Sequence, residues 1–315
     1  MWTYILRRVL IIPVLLIGIT LAVFLLVRLA PGDPVTAQYG LKLHEVDPAK
    51  IEAVREKLGL NDPLHIQYIR YIENLIHGDL GISITSKLPV IDEIRSRFPA
   101  TLELTVAAML LSILFSIPLG IVAGLNRGSW IDNLLMGGSL LGVSVPSYWL
   151  GIMLMLLFGL TLDWLPVTGR GDGPLWSRLD HLVLPAVTLA FALIGFNSRL
   201  MRSAILDVMS KDYIRTARGK GLVNKLVIVR HMLPNALIVL VTVLGMQFAG
   251  LLGGAVLIET IFAWPGIGRL AVERVFRRDY PVIMGTVLMF AFIFMISSLV
   301  VDIIYSFLDP RIRYD

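Results

Sequence analysis

Cysteine is absent from the chain, which excludes a disulfide framework, a thiolate metal site and a cysteine nucleophile, and leaves the redox compartment open. Charge is scarce too. Only 16% of the 315 residues are charged while 56% are hydrophobic, and the mean hydropathy is +0.78. That balance is too apolar for a soluble globular domain of this length and describes an integral membrane protein. Catalytic signatures are also missing. No G-x-x-x-x-G-K-[ST] phosphate loop occurs, since Gly219-Lys220 is followed by Gly221 and lacks the upstream glycine. There is no H-E-x-x-H, and Gly137-Gly138-Ser139 runs into Leu140 where a G-x-S-G element needs glycine. The five histidines fall outside or at the edges of the apolar runs, so a membrane-embedded hydrolase would have neither nucleophile and base nor a metal set. An ion-coupled secondary transporter is the stronger rival on composition, but few ionisable residues lie inside the spans and no clear repeat is visible. The net charge of +5 fits basic loops beside an anionic leaflet rather than a nucleic-acid surface.

What the chain does have is long uncharged runs. A helix needs about 20 apolar residues to cross roughly 30 Å of hydrocarbon. Six runs qualify: Val9 to Val27, Leu104 to Leu125, Leu134 to Leu162, His181 to Ser198, Ala236 to Ile258 and Pro281 to Val301. The first is read as a retained span and not a signal peptide, because no small-x-small cleavage site follows it. The expected fold class is therefore an all-α membrane protein of six spans. Arg127 lies between spans two and three, and eight Lys or Arg lie between residues 199 and 230, which puts those loops and both termini in the cytoplasm. The loop from Glu259 to Tyr280 opposes this assignment, since Arg269, Arg274, Arg277 and Arg278 would sit outside.

The expected domains are a span at 1–30, an extracytoplasmic segment at 31–98, a five-helix core at 99–308 carrying a cytoplasmic loop at 199–235, and a cytoplasmic tail at 309–315. The external segment reads as folded. Asp47-Pro48 resembles an N-cap with proline in the first turn, Ile51, Val54 and Leu58 form a stripe, and Gly59 ends it. Asp62-Pro63 then opens a second helix whose apolar face carries Leu64, Tyr68, Ile72, Leu75 and Ile76, closed by Gly78. A cap on the helix ends and a docking surface for an external partner, served by Gly81, Ser83 and Lys87, are both compatible with this pattern.

Residues 211 to 235, K-D-Y-I-R-T-A-R-G-K-G-L-V-N-K-L-V-I-V-R-H-M-L-P-N, are basic and carry small residues at their centre. A helix of about ten residues is marginal alone, and each glycine costs roughly 1 kcal/mol relative to alanine. Its order must come from packing on the chain's own helices or on a partner. Arg215 and Arg218 share one face; Tyr213, Ala217 and Gly221 share another. A positive-inside loop with no partner fits these facts equally well.

This segment resembles the cytoplasmic loop of binding-protein-dependent ABC importer permeases, whose pattern is E-A-A, three residues, Gly, nine residues, Ile, one residue, Leu-Pro. Aligned on Gly221 and Leu233-Pro234, the E-A-A positions fall on Arg215, Thr216 and Ala217, and the Ile position on His231. The departures are similar to the peptide and nickel branch, where alanine is common at the place of Gly219. The resemblance extends along the chain: R-L-A-P-G-D-P at 28–34, G-L-N-D-P-L at 59–64, G-D-L-G-I-S at 78–83, E-T-I-F-A-W-P-G-I-G-R-L at 259–270, R-D-Y-P at 278–281 and D-P-R-I-R at 309–313. The chain most resembles the first permease subunit of a dipeptide or oligopeptide importer.

The resemblance implies a subunit that is not an enzyme and binds no cofactor or metal of its own. ATP and Mg belong to two cytoplasmic ABC ATPase subunits. The other implied partners are a second permease, forming a heterodimer, and an external solute-binding protein, in the cytoplasmic membrane of a bacterium or archaeon. It also implies an ATPase-coupling contact at Tyr213, Arg215, Ala217, Arg218, Gly219, Gly221, Leu233 and Pro234. Substrate residues are not identified. Of the polar residues near spans, Arg28, Arg199, Glu259 and Asp302 read as end residues, Glu103 as a first-turn charge, and Asn197 and Gln247 as inter-helix hydrogen bonders that could alternatively line a passage. Pro118, Pro146 and Pro185 predict kinks. Gly137, Gly138, Gly142 and Gly151 predict close helix contacts, within the subunit or with a second permease.

Overall fold

The computed structural model describes residues 2–29, 48–57, 59–253 and 255–308. The Asp47 cap, Leu58, residues 30–34 of the R-L-A-P-G-D-P stretch, and the 309–315 tail with its D-P-R-I-R lie outside the described residues. Within them the architecture is helical. The helices are α1 (Trp2–Leu29), α2 (Pro48–Lys57), α3 (Leu64–Ile76), α4 (Val90–Leu125), α5 (Trp130–Ser144), α6 (Ser147–Thr161), α7 (Leu179–Met209), α8 (Asp212–Gly219), α9 (Asn224–Leu252), α10 (Val256–Ile261), α11 (Ile267–Phe276) and α12 (Tyr280–Leu308).

Five helices, α1, α4, α7, α9 and α12, are long and apolar enough to cross a membrane, and a sixth span forms if α5 and α6 count as one. That pair departs from the single run expected at Leu134 to Leu162: its halves are bent by 98°. Val145 is extended, at φ −78° and ψ 123°, as the residue before a proline prefers to be, and Pro146 then starts the second arm without an N–H to donate. Pro99 and Pro118 lie inside α4 and Pro185 inside α7.

The second span is longer than the hydropathy run. At 36 residues α4 measures about 54 Å, well beyond roughly 30 Å of hydrocarbon. Its first turns, Val90 to Phe98, lie in what the sequence divided off as the external segment at 31–98. Two of the acidic residues that interrupt the apolar pattern here, Glu93 and Glu103, are matched. Glu93 accepts from Arg274 at 2.8 Å and from the Ser86 hydroxyl. Glu103 is not a first-turn charge; it sits well inside α4 and pairs with Arg170 at 2.5 Å and Arg178 at 3.5 Å.

Helix α4 packs alongside α7, and glycines set their separation. A Cβ on Gly120 would stand 2.5 Å from the Met201 Cβ, and one on Gly124 would stand 2.8 Å from the Ile205 Cγ2. On the other side of α7, a Cβ on Gly142 would meet the Phe191 carbonyl at 3.0 Å, and one on Gly195 the Ser139 carbonyl at 2.5 Å. Without a hydrophobic drive inside lipid, such small-residue contacts let backbones approach and gain dispersion energy. Gly142 and Gly151 thus serve contacts within the chain, whereas a Cβ at Gly137 or Gly138 would meet nothing within 4 Å. Asn197 donates to Ser112 Oγ at 3.0 Å and exchanges a reciprocal amide pair with Gln247, at 2.9 and 3.0 Å, so α4, α7 and α9 are joined by hydrogen bonds.

The late motifs are a structural knot at the external end. Glu259 is completely buried and accepts from Thr101 Oγ1 at 2.7 Å and from the Arg269 amide at 2.9 Å, placing a carboxylate at the N-terminus of α11. Gly266 and Gly268 stand where a Cβ would collide with that carboxylate. Trp264, also fully buried, donates its indole N–H to the Ala100 carbonyl at 2.8 Å. Nearby, Asp279 accepts from Ser83 Oγ at 2.6 Å and from the amides of Ile84 and Thr85, each at 3.0 Å, joining R-D-Y-P to G-D-L-G-I-S. The arginines that strained the orientation are partly neutralised here: Arg269 pairs with Glu273 at 2.7 Å, and Arg274 with Glu93 at 2.8 Å.

In the external segment Gly59 and Gly78 take positive φ, at +62° and +80°, and end α2 and α3 as expected. Asp62 does not cap α3; it pairs with Arg70 at 2.9 Å. Helix α3 lies against α1, with Tyr68 donating to the Ile17 carbonyl at 3.1 Å and its ring 5.3 Å from that of Phe24.

Candidate functional site

The segment at 211–235 takes its order from the chain itself. After Met209 the chain turns through Ser210 and Lys211 and forms α8 over Asp212–Gly219. Ile214 and Ala217, three apart, are buried against Met201, Ala204, Ile205 and Val208 of α7 and against Val227, Met232, Ala236 and Leu240 of α9. A helix too short to stand alone is thereby clamped between the ends of two spans. Any force on α8 reaches both spans through packed side chains, which transmit displacement because interiors are close-packed.

Its end is a Schellman turn. The Gly221 amide donates to the Arg218 carbonyl at 2.9 Å and the Leu222 amide to the Ala217 carbonyl at 3.4 Å. Gly221 has φ +77°, and Leu222 follows it back onto the apolar cluster. Glycine is required there by backbone conformation: a Cβ would meet no atom of the chain within 4 Å, but an L side chain is strained at that φ. Gly219, the last helical residue, has ordinary φ and equally open surroundings.

The candidate residues divide by burial. Tyr213, Arg215, Arg218, Gly219, Gly221 and Pro234 are exposed; Leu233 is half-buried; Ala217 is buried. Ala217 therefore does not share an outward face with Tyr213, because its side of α8 is the side that packs on α7 and α9. The Arg215 side chain is 80% exposed, and its partner Asp212 is 3.8 Å away and 96% exposed, a surface pair worth no more than about 1 kcal/mol. Both arginines on this face are thus available to an acidic or carbonyl-bearing surface. Pro234 lies in the first turns of Leu233–Leu252, just beyond a π-helical stretch at Ile228–Met232.

The structure adds exposed residues after α8. Val223, Leu226 and Val229 are exposed at 73%, 42% and 55%, beside exposed Lys220, Lys225 and Arg230. The spacing of 223, 226 and 229 carried the signal, but an apolar i, i+3, i+6 stripe next to a span reads as core until the packing is known. The surface is a basic rim around an apolar strip. Among the described residues no group of three or more His, Cys, Asp or Glu could hold a metal ion.

Comparison with known proteins places the whole chain among relatives. Residues 116–314 match the family described as binding-protein-dependent transport system inner membrane component, and residues 1–105 match its N-terminal companion. Two relatives are called glutathione transport system permease protein GsiC. The one from Salmonella paratyphi A is 44% identical and the one from Escherichia coli strain K12 is 42% identical, each over 315 residues and 100% of both chains. Among solved structures, a chain of the methionine ABC transporter MetNI in an inward-facing form superposes with a TM-score of 0.57 at 17% identity, covering 70% of this chain and 97% of that one. At that identity the likeness speaks for the fold.

Proposed function

The chain belongs to the family of binding-protein-dependent ABC importer permeases, and is a multi-pass subunit of the bacterial inner membrane; from that premise we propose how it is driven and what passes through it. It is one half of a membrane pathway, completed by a second permease. Two cytoplasmic ATPase subunits supply the ATP chemistry, and an extracytoplasmic solute-binding protein delivers the cargo. Helix α8 seats in a groove on one ATPase, with Tyr213, Arg215 and Arg218 facing it, Gly219 at its open end, Gly221 making its terminal turn, and Ala217, Leu233 and Pro234 tying the contact to the spans. Both termini and the 199–235 loop are cytoplasmic, and the 31–98 segment is external. The exposed face around Gly137 and Gly138 is available to the second permease.

The cargo is a small peptide of the glutathione or dipeptide kind. The names of the full-length relatives support this class, and selection rests largely on the binding protein. One observation carries the coupling role: a basic, exposed helix face rigidly clamped to the ends of α7 and α9.

The test is transport in proteoliposomes holding the complete assembly, with glutathione and a dipeptide as cargo. Uptake should require ATP and the binding protein. Uptake driven by an ion gradient alone would overturn the reading in favour of a secondary transporter. Binding of neither cargo by the cognate binding protein would overturn the substrate class while leaving the coupling role intact.

A further inference from the structure

At the external end of α1 lies an open cleft of about 410 Å³ that the transport reading does not use. Its floor is apolar, made by Phe24, Leu80, Ile84 and Met284. Its wall is polar, and one nitrogen in it is buried and unpartnered among the described residues. Arg28, in the last turn of α1, lies 5.5 Å over the Phe24 ring. Its Nε is buried without a hydrogen-bond partner among the described residues. The other charges in the lining are accounted for: Arg70 is held by Asp62 at 2.9 Å, and Asp79 accepts the Gly81 amide at 2.8 Å. Gln67, 9% exposed, also leaves its side-chain carbonyl oxygen unsatisfied. Tyr71 adds a hydroxyl, which burial pushes up to about 12, so it remains a neutral donor.

The surroundings say what kind of anion fits. Phe24 and Arg28 share one face of α1, and the adjoining face carries Leu25, Leu26 and Leu29, exposed at 37%, 71% and 71% on a membrane-spanning helix. Ile69 and Ile76 are likewise exposed on α3, at 62% and 78%, and Ile82 on the cleft rim at 61%. A cation at the end of a span, the Tyr71 hydroxyl in the same lining, an apolar floor below it and a lipid-facing apolar wall beside it match a molecule with a phosphate head and acyl tails. A buried donor without a partner is costly, and a charge-assisted bond to a phosphate oxygen would satisfy it.

We propose that this cleft binds the phosphate headgroup of an anionic phospholipid from the outer leaflet, with Arg28 as its principal contact and the acyl chains along Leu25, Leu26 and Leu29. Bound there, the lipid would join α1, α3 and the start of α12, the elements that carry the external segment.

The experiment is native mass spectrometry of the full assembly in detergent, titrated with phosphatidylglycerol, with phosphatidylcholine, or with inorganic phosphate. The intact chain should retain phosphatidylglycerol in preference to phosphatidylcholine. Arg28→Gln should weaken that retention about tenfold or more, the size of a lost charge-assisted hydrogen bond, while Arg28→Lys should restore part of it. Asn74→Trp, which plugs the cleft but keeps Arg28, should also abolish retention. Arg127→Gln, which removes the same charge at the opposite face, should not. Equal retention of both lipids, or equal loss in the Arg28 and Arg127 variants, would refute the site. Displacement of the lipid by millimolar inorganic phosphate in an Arg28-dependent way would assign the cleft to free phosphate and overturn the lipid.

Discussion

Substitution at Gly221 separates two reasons for a glycine in the coupling turn. One is backbone conformation, since Gly221 has φ +77°. The other is space for the ATPase. Within the chain there is no steric obstacle, because a Cβ at Gly221 would meet nothing within 4 Å. The cost of Gly221→Ala is therefore conformational, roughly 1–2 kcal/mol for an L residue in the left-handed region. Asparagine tolerates that region better and should cost less; valine, branched at Cβ, should cost more. The penalty falls on the turn that carries Leu222 back onto the cluster holding Ile214 and Ala217. It should loosen the Schellman turn and let α8 yield under load while the spans stay intact. The measurement is cargo imported per ATP hydrolysed in proteoliposomes, with membrane insertion checked in parallel. Coupling should fall in the order Gly, Asn, Ala, Val, with ATP hydrolysis retained. If Ala couples better than the larger Asn, size and not φ governs the site, and the conformational argument is refuted.

The same logic makes Gly219→Ala benign. Its φ is ordinary and its surroundings are open, so alanine should stabilise α8 by about 0.5–1 kcal/mol, seen as slower amide exchange at Lys220 and Gly221 with coupling unchanged. A loss of transport would show that the docked ATPase fills that space. Glu259→Ala should be severe, about 3–5 kcal/mol, because it leaves the buried Thr101 hydroxyl and the α11 amides without an acceptor. A thermal midpoint of the detergent-solubilised chain within a degree of wild type would contradict this. Asn197→Leu, by contrast, should cost only about 1–2 kcal/mol despite three hydrogen bonds, since measured inter-helix couplings in membranes average about 0.6 kcal/mol. A double-mutant cycle with Gln247→Leu giving several kcal/mol would refute it.

Much of the fold was legible because hydropathy is a local sum. Five of the six runs fall on continuous spanning helices, although Ala236 to Ile258 overran its own, which ends at Leu252 with Val256 opening α10. The sixth was misread as straight, although Pro146 marked the break; a run of uncharged residues reports length and apolarity, and it is silent about direction. The start of α4 was hidden for a related reason. Glu93 and Glu103 lower the hydropathy of the first turns, yet Arg274, Arg170 and Arg178 neutralise them from distant parts of the chain. Burial in the coupling loop was half legible. The pattern set Tyr213, Ala217 and Gly221 on one face, but which side of a short helix turns inward depends on what packs there, and Ile214 with Ala217 proved to be the inner pair.

The sequence by itself determined an apolar all-α membrane protein, its basic loop and its family, because composition, spacing and motif order need no third dimension. Tertiary structure alone decided what the motifs are for physically. Asp279 holds the loop at Ser83, Glu259 seats on α11 between two glycines, and α8 is wedged between α7 and α9. Each of these joins residues far apart in the chain, and a charge or glycine acquires its role only when the fold supplies the partner that matches or crowds it.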